Sequence, residues 1–200
     1  VRGSADEPLV PTEAAPELTP HQTTALAEIA TAIEARSDAT FLLYGITGSG
    51  KTEVYQRAAD VALRKGRSVI VLVPESSLTH QVVDRFRARF GDRVAVLHSG
   101  LSAGERFDQW RLIRENRVPI AIGARSAVFA PYTDLGLIVI DEEHDGAYKS
   151  DEGFRYHARD VARARAEREG CPVVLGSATP DVGTAWRSAH GEYARLTLPE

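Results

Sequence analysis

Six short runs in this chain are apolar at nearly every position: TFLLY at 40–44, SVIVLV at 68–73, RVAVLH at 93–98, VPIAIG at 118–123, LGLIVID at 135–141 and CPVVLG at 171–176. A strand without a polar face has to be covered on both sides, which calls for helices above and below one sheet. The intervening stretches, at about 20–36, 51–65, 77–90, 102–116, 157–169 and 180–190, carry helical spacing. Several open on cap signals, such as Thr19 before Pro20 and Ser102 followed by Glu105. Strands alternating with helices predict an α/β fold, a three-layer α/β/α sandwich with a mostly parallel central sheet. Residues 1–17 hold three prolines and no apolar period, so they read as a linker or in part a cloning scar, with the domain over 18–200.

The first apolar run ends in GITGSGKT at 45–52, a G-x-x-x-x-G-K-[ST] pattern between a strand and a helix. Glycine at 45, 48 and 50 frees the loop Gly45, Ile46, Thr47, Gly48, Ser49 and Gly50 to turn its N–H groups toward one anion. The next helix adds its positive end. Lys51 can reach the β- and γ-phosphates and Thr52 can hold Mg²⁺, so the expected ligand is ATP or another nucleoside triphosphate. The alternative is a tight turn with no ligand.

A nucleotide alone does nothing until a carboxylate for the metal and a base for water join it. LIVIDEEHD supplies them at the end of a buried strand. Asp141 is the expected Mg²⁺ partner, direct or through water, and Glu142 is placed to orient or deprotonate the attacking water. Glu143 is the carboxylate best read as solvated at the sheet edge. Beyond it, His144, Tyr148, Phe154 and Tyr156 are interleaved with Lys149, Arg155 and Arg159. Aromatic faces stack on unpaired bases and cations meet phosphates, so this stretch can sense single-stranded DNA, with Tyr148 the more exposed ring. Alternatively Phe154 and Tyr156 pack as core on the helix at 157–169.

With these motifs in place, the chain from Leu18 to about Pro180 resembles the first, RecA-like motor lobe of superfamily 2 helicases, and more narrowly the PriA-type primosomal helicases of replication restart. LTPHQTTAL at 18–26 is similar to the adenine-reading segment, which implies Gln22 as a base-edge contact. VPESSLTHQ at 73–81, LHSGLSAGER at 97–106 and GARSAVFAP at 123–131 are similar to DNA-facing motifs, which implies phosphate contacts from Thr79, Arg125 and Ser126. As caps or surface charges the same residues would be ordinary. GSATP at 176–180 resembles the motif coupling hydrolysis to lobe movement, with Ser177 and Thr179 linking Asp141 or Glu142 to the DNA side or acting as an N-cap. The chain departs from the family at Ser76, usually apolar, and near His80, where proline is usual.

The resemblance implies an ATP-dependent DNA helicase acting at stalled or branched forks, with single-stranded or forked DNA and primosome or single-strand-binding proteins as partners. It also implies zinc sites in the longer protein but none here. Arginines from a second lobe contribute about 10³–10⁵ in rate in comparable enzymes. The chain starts at Val1 and contains no methionine, so the expectation is a fragment: one lobe that binds nucleotide and hydrolyses it poorly.

Composition adds limits. A net charge of −4 gives no bulk attraction to nucleic acid, so any DNA site must be a local patch. One cysteine, Cys171, allows no internal disulfide and reads as core, while His98, His157 and His190 have no ligand spacing. Without a secretory signal or an apolar run of about 20 residues, the expected setting is cytoplasmic, near the nucleoid, with no membrane partner. Another P-loop NTPase would explain GITGSGKT and IVIDE but not the aromatic stretch. A non-hydrolysing DNA or primosome scaffold would leave Lys51, Thr52, Asp141 and Glu142 without a task.

Overall fold

Seven strands form one sheet in which each pairing is parallel, in the order β3-β4-β2-β5-β8-β1-β9. These strands are β1 Thr40–Gly45, β2 Ser68–Leu72, β3 Val94–Leu97, β4 Ile120–Gly123, β5 Leu135–Ile140, β8 Val173–Ser177 and β9 Ala194–Leu198. A short antiparallel hairpin, β6 Lys149–Ser150 with β7 Tyr156–His157, stands apart from the sheet. The helices are α1 Pro20–Glu34, α2 Lys51–Arg64, α3 Gln81–Phe90, α4 Ala103–Arg114, α5 Ala158–Glu169 and α6 Val182–Ala189. This computed structural model describes residues 16–75, 81–151 and 153–199. Most of the N-terminal linker, and Ser76, Thr79 and His80 of the first DNA-facing motif, lie outside the described residues.

The all-apolar runs are the central strands, and their alternate residues feed two cores. Val69 and Val71 of β2, with Leu137 and Val139 of β5, face α1, α2 and α3. Ile70, Leu72, Ile138 and Ile140 face the opposite layer, with Ile113 of α4 and Ala158, Ala162 and Ala166 of α5. That is the expected three-layer sandwich. Besides the two short hairpin strands, the sheet strand absent from the sequence reading is β9. It lies at the sheet edge beside β1, where only Leu196 and Leu198 of its five residues are buried, against all five of β2. Among the described residues no helix is long and apolar enough to cross a membrane.

The order β5-β8-β1 sets the carboxyl ends of three strands side by side, at Ile140, Ser177 and Gly45. Ligands of open α/β sheets bind in the crevice outside such ends.

The opposite edge is tied by Arg67, 2% exposed. Its guanidinium donates to Gly170 O at 2.7 Å, Glu169 O at 3.2 Å, Ile33 O at 3.3 Å, Leu135 O and the carboxylate of Asp134 at 3.0 Å. One side chain thus joins the C-terminal ends of α1 and α5 to the start of β5. Arg67→Ala leaves several enclosed carbonyls unpaired and should cost about 3 kcal/mol of stability. Urea unfolding checks this as a lowered midpoint at constant slope, and Arg67→Lys should recover little because an ammonium cannot span the fork.

Candidate nucleotide site

The loop after β1 holds the geometry that a phosphate needs. Gly48 and Gly50 have φ of 88° and 85°, the left-handed region that glycine enters without strain. At Gly50 a Cβ would also lie 2.1 Å from Nε2 of Gln22, so a side chain there would displace the Gln22 amide from Ser49 O. Gly50 caps α2, whose first residues are Lys51 and Thr52. Lys51 is 7% exposed and its ammonium donates to Gly45 O at 2.7 Å and Ile46 O at 3.1 Å. Ser49 Oγ is enclosed with no hydrogen-bond partner among the described residues. Flexible glycines, a helix N-terminus, an enclosed cation and an unpaired hydroxyl are a donor set that fits a polyphosphate.

Gln22 stands against this loop. It closes a capping box on α1, accepting from Thr19 N at 2.9 Å, while its Nε2 donates to Ser49 O at 3.1 Å. The amide predicted to read a base therefore braces the phosphate loop here.

Asp141 follows β5 and is gripped at three points. Its N donates to Leu72 O at 2.9 Å, its Oδ1 accepts from the Tyr55 hydroxyl at 2.9 Å, and its carbonyl accepts from the Tyr148 hydroxyl at 2.6 Å. Burial lifts the Asp141 carboxyl above its ordinary value, against the pull of the Tyr55 hydrogen bond and Lys51. A metal ion would reverse that lift. Tyr55 is itself buried, and a Cβ on Gly176 would lie 1.6 Å from its hydroxyl, so GSATP begins with glycine to make room for this contact.

Glu142 is one of three non-glycine residues with positive φ among those described, at 46°. Strain of this kind in a carboxylate beside a phosphate cradle belongs to function more readily than to folding. Its Oε2 is 3.7 Å from His144 Nδ1. His144 Nδ1 in turn shares a 2.8 Å hydrogen bond with Ser177 Oγ, which accepts from Thr179 N at 3.0 Å. The structure thus brings His144, Ser177 and Thr179 together behind Glu142 at the ends of adjacent strands.

Three expectations need correction. Glu143 is not solvated: it is 1% exposed, bonded to Arg159, Thr184 and the backbone of Asp181, partners far along the chain. Arg159 is accordingly held by that carboxylate rather than free for a phosphate. Tyr148, expected to be the exposed ring, is 1% exposed, because the 3₁₀ turn Gly146–Tyr148 folds it beneath Asp141.

The remaining two aromatics of this stretch differ in exposure. Phe154 is 76% exposed and its ring centroid lies 5.8 Å from that of half-buried Tyr156, which meets Phe129 edge-on. Phe154 does not take the alternative of packing as core, whereas Tyr156 rests partly buried against the core layer that includes Ala158 and Ala162 of α5. Arg155 is exposed, and Lys149 pairs with Asp151 at 3.0 Å. Arg125 donates to Ala147 O and Lys149 O, sits 5.9 Å from the Tyr156 ring, and with Ser126 borders a cleft of about 340 Å³ that also includes His98, Arg106 and Trp110. The sequence reading missed Tyr55 and Trp110, and it named Arg159 for a different role. Tyr55, one helical turn after Lys51, was the most accessible to a spacing argument.

A profile of DEAD/DEAH box helicases matches residues 19–185, which hold the phosphate loop, the acidic turn and GSATP. The chain belongs to the DEAD/DEAH box helicase family. Within this helicase lobe, similarity to proteins named Replication restart protein PriA runs nearly from end to end. Identity is 52% over 181 residues to that of Bacillus subtilis (strain 168), covering 90% of this chain, and 51% over 185 residues to that of Synechocystis sp. (strain ATCC 27184 / PCC 6803 / Kazusa), covering 92%. The chain spans 22% of the length of each. Among solved structures, RecG bound to a three-way DNA junction aligns with a TM-score of 0.64 at 23% identity, over 92% of this chain and 24% of that one. The Pyrococcus furiosus Hef helicase domain aligns with a TM-score of 0.62 at 20% identity, over 90% and 38% of the two chains. At such identities these two show the shared fold.

Proposed function

We propose that this lobe binds Mg²⁺·ATP and, in a longer protein, drives an ATP-dependent DNA helicase that acts at stalled or branched replication forks in replication restart. The observation that carries the reading is the single sheet edge shared by the phosphate loop, Asp141 and Glu142, joined through His144 and Ser177 to the strand that leads into GSATP. Gly45 to Gly50 would cradle the phosphates, Lys51 would neutralise their charge, and Thr52 with Asp141 would hold the metal. Glu142 would orient or take a proton from the attacking water. ATP bound between this lobe and a second one would be hydrolysed slowly by this lobe alone.

Phe154, Tyr156, Arg155 and the cleft bordered by Arg125 and Ser126 would receive single-stranded or forked DNA, as stacking faces beside cations. The names of the PriA relatives support replication restart as the setting. In that setting primosome or single-strand-binding proteins would be the partners, in the cytoplasm near the nucleoid. The zinc of the longer protein would be bound outside these residues, whose one cysteine, Cys171, is enclosed with its thiol pushed up to about 12 by burial.

Phe154→Ala in the full-length protein tests the DNA face. Loss of one stacking partner should raise the single-stranded DNA concentration that half-stimulates ATP hydrolysis about tenfold. An unchanged value would remove the hairpin from the DNA site.

A further inference from the structure

Glu143 is the one carboxylate of the acidic turn whose side chain is fully enclosed, at 0% exposure. Both of its oxygens are occupied. Oε1 accepts from Asp181 N at 2.8 Å, and Oε2 accepts from Arg159 at 2.7 Å and from Thr184 Oγ1 at 2.9 Å. Its own N donates to Gly176 O at 3.0 Å. Asp181 caps α6 and Thr184 lies in the first turn of that helix. Arg159 stands in the first turn of α5, directly after β7, and donates to Thr184 Oγ1 at 2.8 Å as well.

An enclosed ion pair is a poor way to hold a fold together, because desolvation cancels most of its attraction and an apolar pair of similar volume does as well. What the pair adds is a fixed junction between specific elements. Here three meet: the turn that carries Glu142 and His144, the helix that continues the aromatic hairpin, and the helix that follows GSATP. The hairpin side is continuous. Tyr156, whose ring lies tilted against that of Phe154, is followed by His157, whose Nδ1 accepts from Arg159 N at 3.2 Å. Arg159 also has a second carboxylate within reach, Asp181 Oδ1 at 3.4 Å, so its guanidinium can change partner without losing its counter-charge.

We infer that Glu143 and Arg159 are positioning residues that carry a displacement of the aromatic hairpin to Glu142, making ATP hydrolysis responsive to DNA. This rests on the motor reading above. Among the described residues neither side chain hydrogen-bonds to the phosphate cradle or stacks on the exposed rings, so the pair sets the coupling between the two sites rather than affinity at either.

The test uses the full-length protein, with ATP hydrolysis measured with and without single-stranded DNA. It compares wild type, Arg159→Lys, and the double change Glu143→Gln with Arg159→Met, which leaves no lone enclosed charge. In both variants the ratio of DNA-stimulated to basal kcat should fall about tenfold. The KM for ATP and the half-stimulating DNA concentration should each shift less than about threefold. A wild-type ratio in a variant that still binds DNA normally overturns the inference and leaves the motor reading standing. Parallel loss of DNA affinity, a raised KM and a lowered melting temperature would assign the pair a structural role and also overturn it. A wild-type protein indifferent to DNA overturns the motor reading, and this inference with it.

Discussion

Lys51→Ala is expected to lower ATP turnover by at least about a hundredfold, the usual consequence of removing a preorganised charge from a developing transition state. The ammonium is poised for this role by enclosure: at 7% exposure and bonded to Gly45 O and Ile46 O, it lies within the loop it would leave to meet a phosphate. Alanine returns neither the charge nor the reach, so affinity for ATP should fall together with turnover. Binding of a fluorescent nucleotide and steady-state hydrolysis, measured on the same preparation, separate the two. Turnover within a few-fold of wild type would remove Lys51 from the chemistry.

Glu142→Gln should act differently. It keeps the shape and hydrogen-bonding reach of the side chain at φ of 46° but removes its basicity, at a cost of about 10²–10⁴ in rate. Nucleotide affinity should stay close to wild type, because the phosphate cradle and the Asp141–Tyr55 contact are untouched. A variant that binds ATP and barely turns it over is the expected outcome, read by comparing single-turnover hydrolysis with binding. Turnover preserved in Glu142→Gln would hand the water to another group.

The parts of this fold governed by local pattern were legible in the sequence. Central strands such as β2 and β5 are apolar on both faces and so declare themselves, and GITGSGKT carries its own geometry in three glycines and a helix start. The edge strand β9 did not, since only Leu196 and Leu198 reach the core. Glu143 sits in a run of acids that reads as solvated, and its burial depends on Arg159 and Thr184, 16 and 41 residues away. Tyr148 has glycine, alanine and lysine as neighbours and no helical or strand period. Its enclosure follows from one tight turn and a hydrogen bond back to Asp141. Spacing arguments place residues on an element; they do not say which distant side chain closes over them.

ATP hydrolysis by the full-length wild-type protein, measured with and without single-stranded DNA at fixed low salt, tests the central claim most directly. The proposed coupling of the phosphate loop and acidic turn to a DNA site at the aromatic hairpin predicts turnover that is slow without DNA and rises severalfold or more when DNA is added. Turnover that is absent, or equally fast in both conditions, would contradict it.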